Sequence, residues 1–338
     1  MTVREIQFVA PGKAELRTVE VREPGESDVV VETVVSSVSA GTEKANLLGD
    51  PNVAGGAKVD MEHYFPRALG YSSSGVVKSV GKAVKHYKPG DRVSVYRGSK
   101  HRDYNIVPED LLVPVPENVS FETAALGYIT SFPLSAVRKT HASVGEAALV
   151  MGEGLLGQIA TLFLRQAGCA PIIAADPVGS RRERALSLGA DYAFDPTDPA
   201  FAENVRHVTG GGAKVCIEVT GRGKGLDQAL DCMARFGRVA LLGCTRDSNF
   251  TIDYYGKVHA PGITLIGAHN NARPQKESYD DCYTNYDDIA CMMKMQSLGR
   301  FDLDTLIADT RDPADCAAVY ADLAANPAFP TVTQFRWK

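Results

Sequence analysis

Residues 147–176 read AALVMGEGLLGQIATLFLRQAGCAPIIAAD, and this stretch decides the fold. An apolar, strand-like run from Ala147 to Met151 meets Gly152-x-Gly154-x-x-Gly157, and apolar residues at helical spacing follow. A second apolar run, Pro171 to Ala175, ends on Asp176, roughly 20 residues past the last glycine. The chain holds 31 glycines, so three at this spacing mean little by themselves. Strand before, helix after and an acid at the tip of the next strand make the pattern a dinucleotide-binding βαβ unit. Gly152 permits the tight turn, Gly154 lets backbone approach a pyrophosphate, and Gly157 lets helix pack on strand. The amides of Leu155 and Leu156, at the positive end of the helix, are the expected pyrophosphate donors. Asp176 suits the adenosine ribose hydroxyls and repels a 2′-phosphate, which favours NAD over NADP. Arg181, expected to flank the adenine ribose, and Arg182 are the residues that could instead meet that phosphate.

The bulk composition narrows the rest. At 338 residues the chain is long for one core and fits two domains. With 44% hydrophobic and 23% charged residues it has the composition of an ordinary globular protein. A net charge of −5 leaves no basic excess for a nucleic acid. No apolar run approaches the ~18 residues of a membrane span, and the opening MTVREIQFVAPGKAEL does not read as a secretory signal. The seven cysteines are scattered with no C-x-x-C pair, so reduced thiols and a cytoplasmic location are expected.

Texture divides the chain. The first ~120 residues are rich in short β-branched runs between turn signals, such as Asp28-VVVETVVSS, Gly75-VVKSVG and Asp91-RVSVYRG. From about Phe121 strands and helices alternate. Short apolar strands are expected at Ala147–Met151, Pro171–Ala175, Val215–Val219, Val239–Gly243 and from Ile263, with helices at Gln158–Gln166, Ser180–Leu188 and Gly225–Arg235. That rhythm predicts an α/β chain with a doubly wound parallel sheet. A polar stretch, Asn270 to Asn285, leads to a helix near Tyr286–Leu298 and a short α+β tail. The nucleotide-binding unit is therefore expected at 126–267, inside a discontinuous domain of 1–125 and 268–338, with a cleft where a small-molecule substrate meets the nicotinamide.

Further motifs carry a resemblance. Ser39-Ala-Gly-Thr-Glu43, Leu69-Gly-Tyr-Ser-Ser-Ser-Gly-Val-Val and Pro89-Gly-Asp-Arg-Val resemble the medium-chain dehydrogenase/reductase superfamily. So do Arg235-Phe-Gly-Arg-Val-Ala-Leu-Leu-Gly243 and Gly299-Arg-Phe-Asp-Leu-Asp-Thr-Leu-Ile, and together these span nearly the whole chain in order. The resemblance implies a GroES-like, β-rich catalytic domain around a Rossmann domain, in a homodimer or homotetramer. Zinc alcohol dehydrogenases of this superfamily take metal ligands from C-G-x-C-G-T-D, from G-H-E and from a later cysteine or acid. Here those positions read Ala40, Tyr71 and, by a looser match, Gly127. None can bind zinc, and no cysteine precedes Cys169 to build the four-cysteine structural lobe. The expectation is no metal; a rebuilt site from His63, His101 and Glu43 is the alternative. SAGTE with G-Y-S-S-S-G looks like the zinc-free branch associated with sugar or polyol oxidation, near the bacteriochlorophyllide dehydrogenase, while quinone and enoyl reductases are also zinc-free.

Without a metal, side chains must manage the hydroxyl proton. The resemblance assigns Thr42 to a hydroxyl that contacts the reacting oxygen. Tyr71 replaces the ligand histidine, and Tyr128 lies near the expected nicotinamide; these three are the candidate catalytic residues. Glu43 resembles a carboxylate that stands behind the metal, and structural ion pairing is its default reading. Lys44 and His101 read as surface. Thr220 and Gly243–Cys244 should line the cofactor path. His269, Asn270 and Arg273, beside Asn271, form a polar cluster that would suit a polyhydroxylated substrate. The leading expectation is an NAD-dependent, zinc-independent alcohol dehydrogenase or ketone reductase for a sugar, cyclitol or polyol. The alternatives are an NADPH-dependent quinone or enoyl reductase, and a nucleotide-binding protein without turnover.

Overall fold

The computed structural model describes residues 1–50, 64–279 and 281–338. In chain order the elements are β1 (Thr2–Ala10), β2 (Lys13–Glu20), β3 (Asp28–Ser37), α1 (Ala40–Leu48), β4 (Arg67–Ala68), β5 (Ser72–Val80), β6 (Arg92–Tyr96), β7 (Tyr104–Pro108) and β8 (Leu112–Pro114). Next come α2 (Phe121–Ala124), α3 (Gly127–Lys139), β9 (Ala148–Met151), α4 (Leu155–Gln166), β10 (Ile172–Ala175), α5 (Gly179–Ser187), β11 (Tyr192–Phe194), α6 (Phe201–Thr209), β12 (Ala213–Glu218) and α7 (Gly223–Asp231). The chain ends with β13 (Met233–Leu241), β14 (Thr264–Gly267), α8 (Asn285–Ser297), β15 (Asp309–Arg311), α9 (Cys316–Ala325) and β16 (Thr333–Arg336). Two units form, one of residues 1–129 and 289–338 and the other of residues 130–288.

The first unit is β-rich. Its larger sheet runs β15-β16-β3-β5-β6-β8, with β7 also on β3, and a smaller sheet runs β2-β1-β4. All ladders here are antiparallel except β15 on β16. Period-2 alternation explains the larger sheet: Val29 and Val31 of β3, Val77 of β5, Val93 and Val95 of β6 and Val107 of β7 point into one core. A second core gathers Ile6, Phe8, Leu47, Tyr320, Phe335 and Trp337, so α1, α9 and β16 share one interior.

The second unit is a six-stranded parallel sheet in the order β11-β10-β9-β12-β13-β14. That is the doubly wound order, and its reversal lies between β9 and β12. The register puts Ala175 opposite Phe194 and Met151, Glu218 opposite Met151 and Leu241, and Leu241 opposite Gly267, so all six strands end on one rung. Residues just past that rung form one functional edge.

Several expectations shift. The segment 268–288 and residues 126–129 lie across the boundaries read from the sequence. The ties for 268–288 are internal to the second unit: Arg273 pairs with Asp288, and Lys139 Nζ donates to the carbonyls of Gly267 and Ala272. Helix α7 stops at Asp231, and the residues expected to continue it begin β13, because Met233 pairs with Ala213 of β12. Strand β11 and helix α6 were not foreseen. No helix among the described residues is long and apolar enough to cross a membrane.

Candidate functional site

In the second unit β9 turns at Gly152, whose φ of +98° lies in the region glycine favours. A Cβ on Gly157 would sit 1.9 Å from the Gly152 carbonyl oxygen, so the contact of helix on strand needs hydrogen there. At Gly154, the N-cap of α4, a Cβ would meet nothing within 4 Å. The first two glycine contacts serve the fold. The open space at Gly154 is where a pyrophosphate would fit, next in sequence to the amides of Leu155 and Leu156 in a first turn that a helix leaves without intrahelical partners.

Asp176 follows β10 and is buried. Its Oδ2 accepts the Glu153 N–H at 2.9 Å and its Oδ1 accepts the Val178 N–H at 2.8 Å. A carboxylate has about four acceptor positions, so capacity remains for ribose hydroxyls. Arg181 Nη1 lies 3.6 Å from Oδ2, while Arg182 donates to the Asp176 carbonyl at 2.7 Å and faces Asp195. Both guanidiniums are thus committed within the protein. Thr220 donates its hydroxyl to Glu218, which also accepts the N–H groups of Thr220 and Gly221 at 2.8 and 3.2 Å. Gly243 packs on the same backbone, where a Cβ would stand 2.3 Å from the Gly221 nitrogen. Cys244 is exposed. The strand ends therefore bring Gly152, Gly154, Leu155, Leu156, Asp176, Thr220 and Gly243 to one edge, with Arg181 beside it. The residues present fit a dinucleotide.

The polar cluster after β14 is less uniform than its sequence suggests. His269 is exposed, and its Nδ1 accepts the Asn271 N–H at 3.2 Å. Asn270 is half-buried. Arg273 is buried: it donates to Asp288 at 2.9 Å and to the Ser131 carbonyl at 2.8 Å, and Arg138 takes the other Asp288 oxygen at 2.5 Å. Burial pushes Asp288 up to about 6 in spite of those two arginines. Arg273 is accordingly a structural cation of this unit, and its charge is not offered to a ligand.

In the first unit, β3 leads into α1 with Ser39 as N-cap. The Tyr71 hydroxyl donates to Ser39 Oγ, and Thr42, in the first turn of α1, also hydrogen-bonds the phenol. The Tyr71 ring meets Tyr128 edge-on with centroids 5.4 Å apart, and Tyr96 lies 5.8 Å from Tyr128. Tyr71 keeps some solvent contact, yet dense packing and then the Glu43 charge push its phenol up to about 12 against the Ser39 and Thr42 bonds. It stays protonated at neutral pH. The structure thus joins Thr42, Tyr71 and Tyr128, and adds Ser39, which sequence reasoning passed over although it opens the SAGTE motif.

Glu43 is buried behind this cluster. It accepts the Ser39 N–H at 2.8 Å and the Tyr320 hydroxyl at 2.6 Å, and both oxygens lie 3.2 Å from His101 Nε2. Burial opposes its charge, but His101, Tyr320 and the Ser39 amide outweigh that and hold the carboxyl below its usual range. His101 was read as surface; it is 1% exposed, with Nδ1 2.8 Å from Ser36 Oγ, which also accepts the Trp337 indole N–H. Its partners lie far along the chain, so no residue beside it in sequence marks it as buried. Glu43 therefore presents no open carboxylate to a substrate.

These residues do not fit zinc. Ala40 and Gly127 have no donor atoms, Tyr71 is a protonated phenol, and Glu43 and His101 spend theirs on one another. No group of three or more His, Cys, Asp or Glu among the described residues could hold a metal ion. His63, the third member of the rebuilt site considered above, lies outside the described residues.

Comparisons with known proteins agree with this architecture. Residues 25–117 match the family described as alcohol dehydrogenase GroES-like domain, and residues 156–282 match zinc-binding dehydrogenase. The L-threonine 3-dehydrogenase of Pyrococcus horikoshii is 27% identical over 283 residues, covering 75% of this chain and 79% of that protein. Human sorbitol dehydrogenase is 29% identical over 210 residues, covering 53% and 59%. The crystal structure of 2R,3R-butanediol dehydrogenase from Bacillus subtilis superposes with a TM-score of 0.82 over 99% of both chains at 22% identity, a likeness of fold. The chain is a member of the medium-chain dehydrogenase/reductase superfamily. It is an oxidoreductase of the alcohol dehydrogenase type and takes a nicotinamide cofactor, as that superfamily does.

Proposed function

We propose that this protein interconverts a secondary alcohol and its ketone with NAD(H), without zinc, on a sugar, cyclitol or polyol. One observation carries the reading: the positions that hold zinc ligands in related enzymes here carry Ala40, Gly127 and a phenol bonded to Ser39 and Thr42. When bound, the nicotinamide accepts or gives the hydride. Everything else falls to the chain. In reduction the Tyr71 O–H donates to the carbonyl oxygen and gives its proton as alkoxide forms, and Ser39 or Thr42 relays a replacement. In oxidation the path runs backwards: Tyr71 passes its own proton through Ser39 or Thr42 to solvent as it takes the proton of the substrate hydroxyl, because a phenol near 12 holds a proton at neutral pH. The Tyr128 ring holds Tyr71 in orientation from its edge.

NAD is preferred because Asp176 is buried as an anion-like acceptor at the ribose position and Arg181 is already paired with it. The NADPH-dependent reductase reading needs one of those arginines to turn outward. The polyol preference draws on the sorbitol dehydrogenase relative and on His269 and Asn270. Cys244 and Thr220 are assigned to the cofactor wall. A cytoplasmic homodimer or homotetramer completes the reading, in keeping with seven free cysteines. A cofactor and substrate panel tests it: NADH bound more tightly than NADPH, with turnover of polyols or cyclitols, is the expected result. Cofactor binding without turnover of any alcohol, ketone, enone or quinone would point to a binding protein.

A further inference from the structure

Inside the glycine-rich turn sits an acid that neither the hydride chemistry nor the fold explains. Glu153, between Gly152 and Gly154, is fully buried. Its backbone makes the ties expected of that loop: its N–H binds Asp176 and its carbonyl accepts the Gln158 side-chain amide at 3.2 Å. The side chain turns inward under α4. Oε1 accepts the Thr161 hydroxyl at 3.0 Å, and Oε2 has no hydrogen-bond partner among the described residues. That orphan oxygen lies 3.4 Å from where a Gly157 Cβ would be, in the angle between strand and helix.

The charges around it are few. From β10 it faces Asp176, an anion. From α5 come Arg181, whose Nη1 lies 3.6 Å from the same Asp176 oxygen that accepts the Glu153 N–H, and Arg182, which is held by the Asp176 carbonyl and Asp195. From β12 comes Glu218, engaged by Thr220 and Gly221. Helix α4 has no charged residue before Arg165. Its N-terminal dipole favours an anion, but no amide among the described residues donates to the Glu153 side chain. A buried carboxylate with an acid as its charged neighbour is costly, and burial followed by Asp176 pushes Glu153 up to about 8 against the Thr161 bond.

We propose that Glu153 is a positioning residue of the dinucleotide site that must carry its proton for the loop to bind, so that cofactor binding takes up a proton wherever the free protein has lost it. The inference rests on the dinucleotide reading above. A pyrophosphate on the Leu155 and Leu156 amides would bring two more negative charges to the same turn, which favours the neutral acid further. Its proton affinity then rises on binding, and affinity for the cofactor must fall with pH between the free and bound values. The sign is set by the upward shift: binding is complete below the free value and weakens above it.

The test is NADH affinity of the full chain from about pH 6 to 10, for wild type and Glu153→Gln. Glutamine keeps the shape and is neutral at every pH. Wild type should bind evenly up to about pH 8 and then lose affinity by up to about tenfold per pH unit. The variant should match wild type at neutral pH and stay level. An identical alkaline fall in both proteins overturns the proposal, and so does a wild-type profile that stays level. Should Glu153→Gln fail to fold, calorimetry of wild type near pH 9 in two buffers of different ionisation enthalpy reads the same linkage. Proton uptake on NADH binding is expected, and its absence overturns the proposal. If neither NADH nor NADPH binds at any pH, the dinucleotide reading itself falls and takes the coupling with it; binding without pH linkage removes the coupling alone.

Discussion

Two strand–turn–helix junctions, β9 to α4 and β3 to α1, use the same local geometry in opposite ways. At the first, Gly154 as N-cap leaves the helix N-terminus open, with space where a Cβ would be. At the second, α1 carries Glu43 in its first turn, and that carboxylate folds back onto the Ser39 amide. A helix N-terminus attracts anions; one junction has no acid of its own in the first turn of its helix, and the other satisfies that attraction with its own acid. The open junction suits a phosphate. The closed one, stapled by His101 and Tyr320, instead fixes Ser39 and Thr42 around the Tyr71 phenol.

The largest effect should come from filling the first junction. Gly157→Ala puts a methyl 1.9 Å from the Gly152 oxygen. It should cost roughly 3 kcal/mol of stability and remove NADH binding, read by denaturant unfolding and fluorescence titration. Gly154→Ala sharpens the contrast: stability within about 0.5 kcal/mol of wild type, with NADH affinity strongly reduced. If Gly154→Ala binds NADH normally, the open space is not a cradle. At the second junction, Glu43→Gln leaves the geometry but removes the charge facing His101, and about 3 kcal/mol of stability should go with it. The carboxyl is held below its usual range, so its contribution is whole above the ordinary carboxylate value near ~4.3 and fades as pH falls through the lowered one. Acid unfolding of the variant should lack that part of the slope.

Smaller effects separate chemistry from scaffold. Tyr71→Phe should lower kcat by about 100-fold while NADH affinity stays put; equal turnover would take Tyr71 out of the proton path. Asp176→Ser should move the NADH-to-NADPH preference by about tenfold, or 1.4 kcal/mol, as the carboxylate that repels a 2′-phosphate is removed. An unmoved preference would mean that cofactor choice lies elsewhere in the fold.

The contrast between the junctions also explains what could be read from the chain. The glycine turn is set by backbone packing over a few neighbouring residues, so three glycines, two strands and Asp176 identify it. The hydroxyl cluster shows in sequence only as replacements for metal ligands. Its order depends on partners far apart: His101 is 58 residues from Glu43, and Tyr320 is 277. Nothing local marks them. Arg273 misled for a related reason, because its polar surroundings concealed a buried bond to Asp288. Local helical spacing also misplaced the end of α7, where pairing of Met233 with Ala213 overrode it. Strand β11 is three residues long, too short for a periodic signal.

In the proposed mechanism hydroxyl groups do the work a metal does in related enzymes. Turnover of a polyol or cyclitol with NAD, measured on protein stripped with a strong chelator and analysed for metal, tests it directly. Full activity with no bound zinc is the predicted result. One tightly held zinc per chain, with activity lost on its removal and restored by its return, would contradict it.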